Sequence, residues 1–98
     1  TETDHDEVLR CFAIEENFFR EDGLTRDLVI SLINQVAYHM LRKDRDAYLP
    51  KLEEAGYLIR KYRFQDFYRA LAYMENQAGW HGSAPNAEQI AQAMEDLK

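Results

Sequence analysis

Ninety-eight residues with 46% hydrophobic and 31% charged side chains and a formal charge of −6 describe one folded, acidic domain rather than a disordered tail. A chain this acidic does not offer the broad basic face that duplex nucleic acid needs, and it holds no apolar run long enough to span a bilayer. Four glycines and two prolines supply few turns, which favours a few long helices over many short strands.

In chain order, Val8, Leu9, Phe12 and Phe19 fall on one side of a first helix, with Cys11 and Phe18 flanking it and Asp22-Gly23 as its stop. Thr25 is the expected N-cap of a second helix, with Asp27 placed well in its first turn. Leu28, Val29, Leu32, Ile33, Val36, Ala37, Met40 and Leu41 form the strongest 3.6-residue pattern in the chain, so this helix is expected at the centre. Arg42-Lys43 oppose the negative end of its dipole. Asp44-Arg45-Asp46 reads as a charged connector, and Pro50 as part of the first turn of a third helix. Tyr48, Leu52, Ala55, Ile59 and Tyr62 make the apolar stripe of that helix, and Arg63 to Gln65 its break. A further helix carries Phe67, Leu71, Met74 and Ala78 and ends at Gly79. After a turn-rich loop at 81–86, Ala87, Ile90, Ala91, Met94 and Leu97 face away from Glu88, Gln92, Glu95 and Asp96 on a last amphipathic helix.

The pattern predicts an all-α protein, a compact bundle of four to five helices forming a single domain over residues 1–98. The chain starts at Thr1 rather than Met, so it is read either as a whole protein or as a piece of a longer one. A lone cysteine, Cys11, can form no internal disulfide; it reads as a small core residue, and the expected compartment is the cytoplasm.

No motif carries an assignable chemistry. His39 on the central helix, followed by Met-Leu-Arg-Lys, resembles the histidine of phosphotransfer domains, but Asp44 stands where those domains place a small residue. Glu15, Glu16, His39, Glu53, Glu54 and Glu75 lack the Glu-x-x-His pairs of di-iron bundles, and Asp4, His5 and Asp6 sit at a terminus expected to fray. Ser31, Ser83 and Cys11 with His5, His39 and His81 give no spacing that selects a hydrolytic triad. Trp80-His-Gly82 resembles the W-x-G hairpin of small secreted helical proteins, and Phe64-Gln-Asp-Phe67 a segment of pterin carbinolamine dehydratases. The first leaves too little chain after Gly82 for a second long helix, and the second lacks the paired histidines followed by proline downstream, so neither supports an assignment. No catalytic residue, metal ligand or cofactor is assigned, and the chain is expected not to be an enzyme.

The residues that stand out are those of Tyr57-Leu-Ile-Arg-Lys-Tyr-Arg-Phe-Gln-Asp-Phe-Tyr-Arg69, where aromatics and cations interleave. Residues 1–22 hold eight acids against Arg10 and Arg20, whereas residues 42–69 hold eight cations against five acids. Helical spacing places Tyr57, Lys61, Phe64 and Tyr68 along one surface with Arg60 beside them and turns Phe67 and Leu71 inward. Tyrosine and arginine are the residue types enriched at binding hot spots. The expected function is therefore a small soluble regulatory or adaptor module whose partner is another protein. One version is a second copy of the chain, its acidic first segment on the basic third, although that complementarity can also be met within one chain. Single-stranded nucleic acid stacking on the 57–69 stretch is the alternative, and an enzymatic role for His39 or His81 with nearby carboxylates is a third, weaker reading.

Overall fold

Four helices follow one another along the chain in the computed structural model, which describes residues 2–79. They are α1 (Glu2–Glu21), α2 (Thr25–Leu41), α3 (Arg45–Tyr62) and α4 (Tyr68–Gln77), with a 3-10 turn at Gln65–Phe67 leading into α4. No strand occurs among the described residues, so the protein is all-α as the spacing predicts. The expected loop at 81–86 and the expected last helix over 87–97 lie outside the described residues.

Every helix closes on a left-handed residue: Gly23 (φ 67°), Lys43 (φ 59°), Arg63 (φ 57°) and Gly79 (φ 68°). After α1, the Gly23 N–H donates to the Arg20 carbonyl (3.3 Å) and the Leu24 N–H to Phe19 (2.9 Å), a paired closure that satisfies the last exposed carbonyls. The same pairing recurs after α2, from Lys43 to Met40 (3.0 Å) and from Asp44 to His39 (2.9 Å). Lysine and arginine reach this conformation at a cost of ~1–2 kcal/mol each, which the recovered hydrogen bonds offset.

Two helix starts differ from expectation. Thr25 is not the cap of α2: Leu24 takes that position without a side-chain bond, because the closure of α1 already ends there. Asp44-Arg45-Asp46 is not a connector but the start of α3. The Asp44 carboxylate accepts from the Ala47 N–H (3.2 Å), so the helix begins a turn earlier and Pro50 sits inside it. Pro50 removes the bond that its N–H would have made to the Asp46 carbonyl. The Asp44 cap and the burial of Tyr48 in the turn before Pro50 offset that loss.

The core lies between α2, α3 and α4: Leu28, Val29, Leu32 and Val36 pack with Tyr48, Leu52, Ala55 and Ile59 and with Tyr68, Leu71, Met74 and Ala78. Burial of each larger side chain contributes about 1.5–3 kcal/mol. Among its described side chains α1 supplies none that is fully buried, and of these Phe19 alone packs against that core. Cys11, Ile14 and Phe18 are exposed, which corrects the reading of Cys11 as a core residue. The reason is the surface that α2 turns toward α1. Ser31, Gln35 and His39, four residues apart, form a buried polar file there instead of a greasy one.

α1 is therefore held by polar contacts. The Glu16 carboxylate accepts from Gln35 Nε2 (2.9 Å), Lys51 Nζ (2.8 Å) and Arg20 Nη2 (3.1 Å). Arg20 also donates two 2.7 Å bonds to Glu54 of α3. Burial raises the Glu16 carboxyl, but its bonds from Lys51, Gln35 and Arg20 outweigh that and hold it below the ordinary carboxylate value. The acidic first helix and the basic third thus meet within one chain at Glu16–Lys51.

Candidate interaction surface

Where α3 ends, Arg63 turns left-handed and the Phe64 N–H closes on the Ile59 carbonyl (3.0 Å), which reverses the chain. The reversal sets Phe64 beside Tyr62 instead of a full turn further on. Their rings stack at 5.8 Å between centroids with 20° between planes, and Phe67 meets Phe64 edge-on at 6.2 Å. Lys61 places its ammonium 5.5 Å from the Tyr57 ring and 5.4 Å from the Tyr62 ring. At the other end, Arg26 in the first turn of α2 covers Phe67 (4.7 Å) and Phe64 (5.5 Å) and pairs with Asp66.

The result is a continuous row, Tyr57–Lys61–Tyr62–Phe64–Phe67–Arg26, in which Lys61 bridges two tyrosines, three rings follow in contact, and Arg26 covers the far end. Each exposed cation–ring contact contributes about 0.5–1 kcal/mol and limits the rotamers its partners sample. Phe64 and Phe67 root the row against the core, while Tyr57 and Tyr62 stand out of it, 59% and 48% exposed. Lys61 has no carboxylate partner among the described residues, and its ammonium is pushed above its ordinary value first by Tyr57 and then by Tyr62. The Asp66 carboxyl is held below its ordinary value by the hydrogen bond from Arg26.

Of the five residues expected on this surface, Tyr57, Lys61 and Phe64 are brought together there. Arg60 is not: its guanidinium turns toward α4 and donates to both oxygens of Glu75 (3.0 and 3.2 Å). Tyr68 is not either; it is 1% exposed and belongs to the core. Tyr62, Phe67 and Arg26 are members that helical spacing missed. Phe67 packs against the core, in keeping with its expected inward turn, and meets Phe64 as well; Arg26 lies 36 residues before Tyr62, beyond the reach of any local pattern.

A second concave feature lies between α1, α2 and the start of α3, a cleft of about 370 Å³ whose lining includes His5, Phe12, Glu16, His39, Asp44 and Lys51. At its rim the His5 ring stacks on Tyr38 (5.6 Å, 13°), its Nδ1 lies 2.7 Å from the Tyr38 hydroxyl, and His39 meets both rings edge-on. None of its lining residues is a Ser, Thr or Cys, and Ser31 is buried along α2 with its hydroxyl 3.4 Å from Gln35. Among the described residues no three His, Cys, Asp or Glu side chains gather as metal ligands, and no helix is long and apolar enough to cross a membrane. Across the cleft Glu16 of α1 is bonded by Gln35 and Lys51, which makes it the polar latch of α1, while the buried His39 Nδ1 has no partner among the described residues.

His39 makes that latch sensitive to pH. Burial lowers its imidazole from the ordinary value; Asp44 pulls it back up, while His5, Arg42 and Lys51 add to the lowering. The unfolded chain therefore holds a proton that the folded protein sheds. The stability His39 contributes is present above about pH 6.5 and is lost as pH falls through the folded value. Urea titrations should show the folding free energy falling between about pH 7.5 and 5, and falling less in His39→Gln. Parallel curves for the two proteins would remove His39 from the account.

Compared with known protein families, with curated proteins and with solved structures, the chain matches none.

Proposed function

We propose that this protein is a small regulatory or adaptor module that binds another protein through the cation–aromatic row. The observation that carries the reading is the pair of outward tyrosines, Tyr57 and Tyr62, bridged by a lysine that has no acid of its own among the described residues. Amphipathic rings already ordered by neighbouring cations lose little entropy on binding and fit a partner segment that combines carboxylates with apolar side chains. The exposed Cys11 thiol suits a reducing compartment, so we place the module in the cytoplasm.

The test is the triple variant Tyr57→Ala, Lys61→Ala, Tyr62→Ala beside the unchanged protein. Pull-downs from the native host should recover a specific partner with the unchanged protein alone, and hot-spot losses of about 2 kcal/mol per ring predict affinity lower by two orders of magnitude or more. The variant should remain folded with a stability loss within about 1.5 kcal/mol, since exposed substitutions shift stability by about 0.5 kcal/mol or less each. Partner capture that survives the triple substitution would overturn the proposal. Light scattering at low and high salt reports whether the partner is a second copy. Titration with mixed single-stranded oligonucleotides decides the rival reading, because affinity that falls steeply with salt and vanishes in the triple variant would favour nucleic acid over protein.

A further inference from the structure

Two apolar surfaces lie apart from the cation–aromatic row, and the charges around them are opposite in sign. The first is a groove at the far end of α2, about 510 Å³ in volume, with a floor of Met40 of α2, Tyr48 of α3 and Met74 of α4. Leu41 and Tyr73 stand at its edge, 86% and 64% exposed, with Lys43 and Arg45 on its rim. Neither cation forms an ion pair among the described residues, although the Arg45 guanidinium donates to the Ala78 carbonyl. Methionines adapt to varied apolar shapes, and the cations favour acids on whatever enters.

The second is a ridge on α1. Cys11, Ile14 and Phe18 recur at intervals of three and four residues, so they share one helical face, and all three are exposed. At 1.5 Å of rise per residue the ridge is about 10 Å long. Glu7, Glu15 and Glu21 border it, each three or four residues from Cys11 or Phe18. These acids are exposed and form no ion pair among the described residues. An exposed apolar patch rimmed by polar groups marks a contact surface.

The two surfaces match in chemistry yet face apart within one molecule. Phe12, Glu16 and Phe19 hold the side of α1 that is turned to its own chain. There Phe12 meets Tyr38, Glu16 accepts from Gln35 and Lys51, and Phe19 reaches the core. The ridge lies round the helix from that side, on the face turned to solvent, so it meets a groove only on another copy.

We propose that copies of this chain join head to tail, the Cys11–Ile14–Phe18 ridge of one copy seated in the Met40–Tyr48–Met74 groove of the next, with Glu7, Glu15 and Glu21 toward Lys43 and Arg45. The contact joins two different surfaces, so each copy keeps a free ridge or groove for a further neighbour, and assembly grows as a chain or closes as a ring. The Tyr57–Tyr62 row takes no part in it and stays open to a different partner.

Sedimentation equilibrium tests the assignment. The weight-average mass of the unchanged protein should exceed one protomer and rise with concentration between about 10 µM and about 1 mM. Over the same range its Met40 and Met74 methyl resonances should move. The ridge variant Ile14→Glu, Phe18→Glu and the groove variant Leu41→Glu, Tyr73→Glu should each stay monomeric and keep their helical circular dichroism, because all four positions are exposed. Mixed in equal amounts, the two variants should form a pair and go no further, since between them one ridge and one groove remain intact. The Met40 and Met74 methyls of the ridge variant should shift only when the groove variant is added. An unchanged protein that stays monomeric, association that survives in either variant alone, or a mixture that shows neither pairing nor methyl shifts overturns the proposal. The triple variant Tyr57→Ala, Lys61→Ala, Tyr62→Ala should associate as the unchanged protein does, so this reading and that of the cation–aromatic row fail separately.

Discussion

Tyr68→Ala should remove a large part of the stability of this domain, whereas Tyr57→Ala should leave it nearly intact. Both tyrosines belong to the same aromatic-basic stretch, yet Tyr68 is among the largest fully buried side chains and Tyr57 stands in water. Truncating a buried aromatic to alanine costs about 3–5 kcal/mol, because the lost transfer energy is joined by the cavity left behind. Small domains are stable by about 5–15 kcal/mol in total, so the fraction lost is large. At about 4–8 °C per kcal/mol for a domain of this size, the melting midpoint should drop by more than about 12 °C. Calorimetry or thermal circular dichroism would show it. Tyr68→Phe, which keeps the ring, should recover most of the loss. A Tyr68→Ala protein that melts within a few degrees of the unchanged one would mean that Tyr68 is not part of the core.

The contrast also shows where sequence reasoning reached its limit. The strong apolar period from Leu28 to Leu41 made α2 legible, as did the stop at Asp22-Gly23 and the break at Arg63 to Gln65. These signals are local, set by side-chain spacing and backbone freedom. Tyr68 was misplaced because the helical spacing of Tyr57 and Lys61 was carried through that break, after which the register starts afresh. Lys43 and Arg63 gave no warning of their left-handed conformation, since neither is glycine or asparagine. Arg26 meets Phe64 and Phe67 only through the packing of α2 beside the turn, which no spacing rule encodes. The polar file Ser31–Gln35–His39 could have been seen: three polar residues at four-residue intervals inside an apolar helix mark a face turned toward polar neighbours. The file explains why α1 keeps Cys11, Ile14 and Phe18 in water and is latched instead by Glu16, His5 and Arg20.

Arg60→Ala should destabilise the protein by about 3 kcal/mol at neutral pH, and the penalty should shrink as the solution is acidified. The Glu75 side chain is 8% exposed and depends on Arg60 for both of its salt-bridge hydrogen bonds, while the Arg60 Nε is buried without a partner among the described residues. Burial raises the Glu75 carboxyl above its ordinary value, and the charge and hydrogen bond of Arg60 only partly bring it back. The desolvation of this pair is thus incompletely repaid. Removing one partner strands a buried charge, which costs about 3–5 kcal/mol in general; the lower figure applies here because a third of the Arg60 side chain remains in water. A raised carboxyl gives the folded state a proton that the unfolded chain releases, so its contribution is fully present below about pH 4.5 and is lost as pH rises through the folded value. Without Arg60 that value rises further, and protonation relieves the stranded charge, so the variant should regain stability relative to the unchanged protein between about pH 7 and 5. Replacing both groups, as Arg60→Leu with Glu75→Leu, should be neutral or stabilising by about 1–4 kcal/mol, since apolar groups of similar size need no desolvation. Gly56 supplies an independent check on the geometry. A methyl there would come within 2.9 Å of the Arg60 Nη1, so Gly56→Ala should displace the guanidinium from Glu75 and give back less than the roughly 0.5–1 kcal/mol of helix propensity that alanine supplies. Denaturant titrations of the single and double variants at two pH values would decide the matter. An Arg60→Ala penalty that stays constant with pH, or a double variant as unstable as the single one, would show that the loss in the single variant does not come from a stranded Glu75 charge.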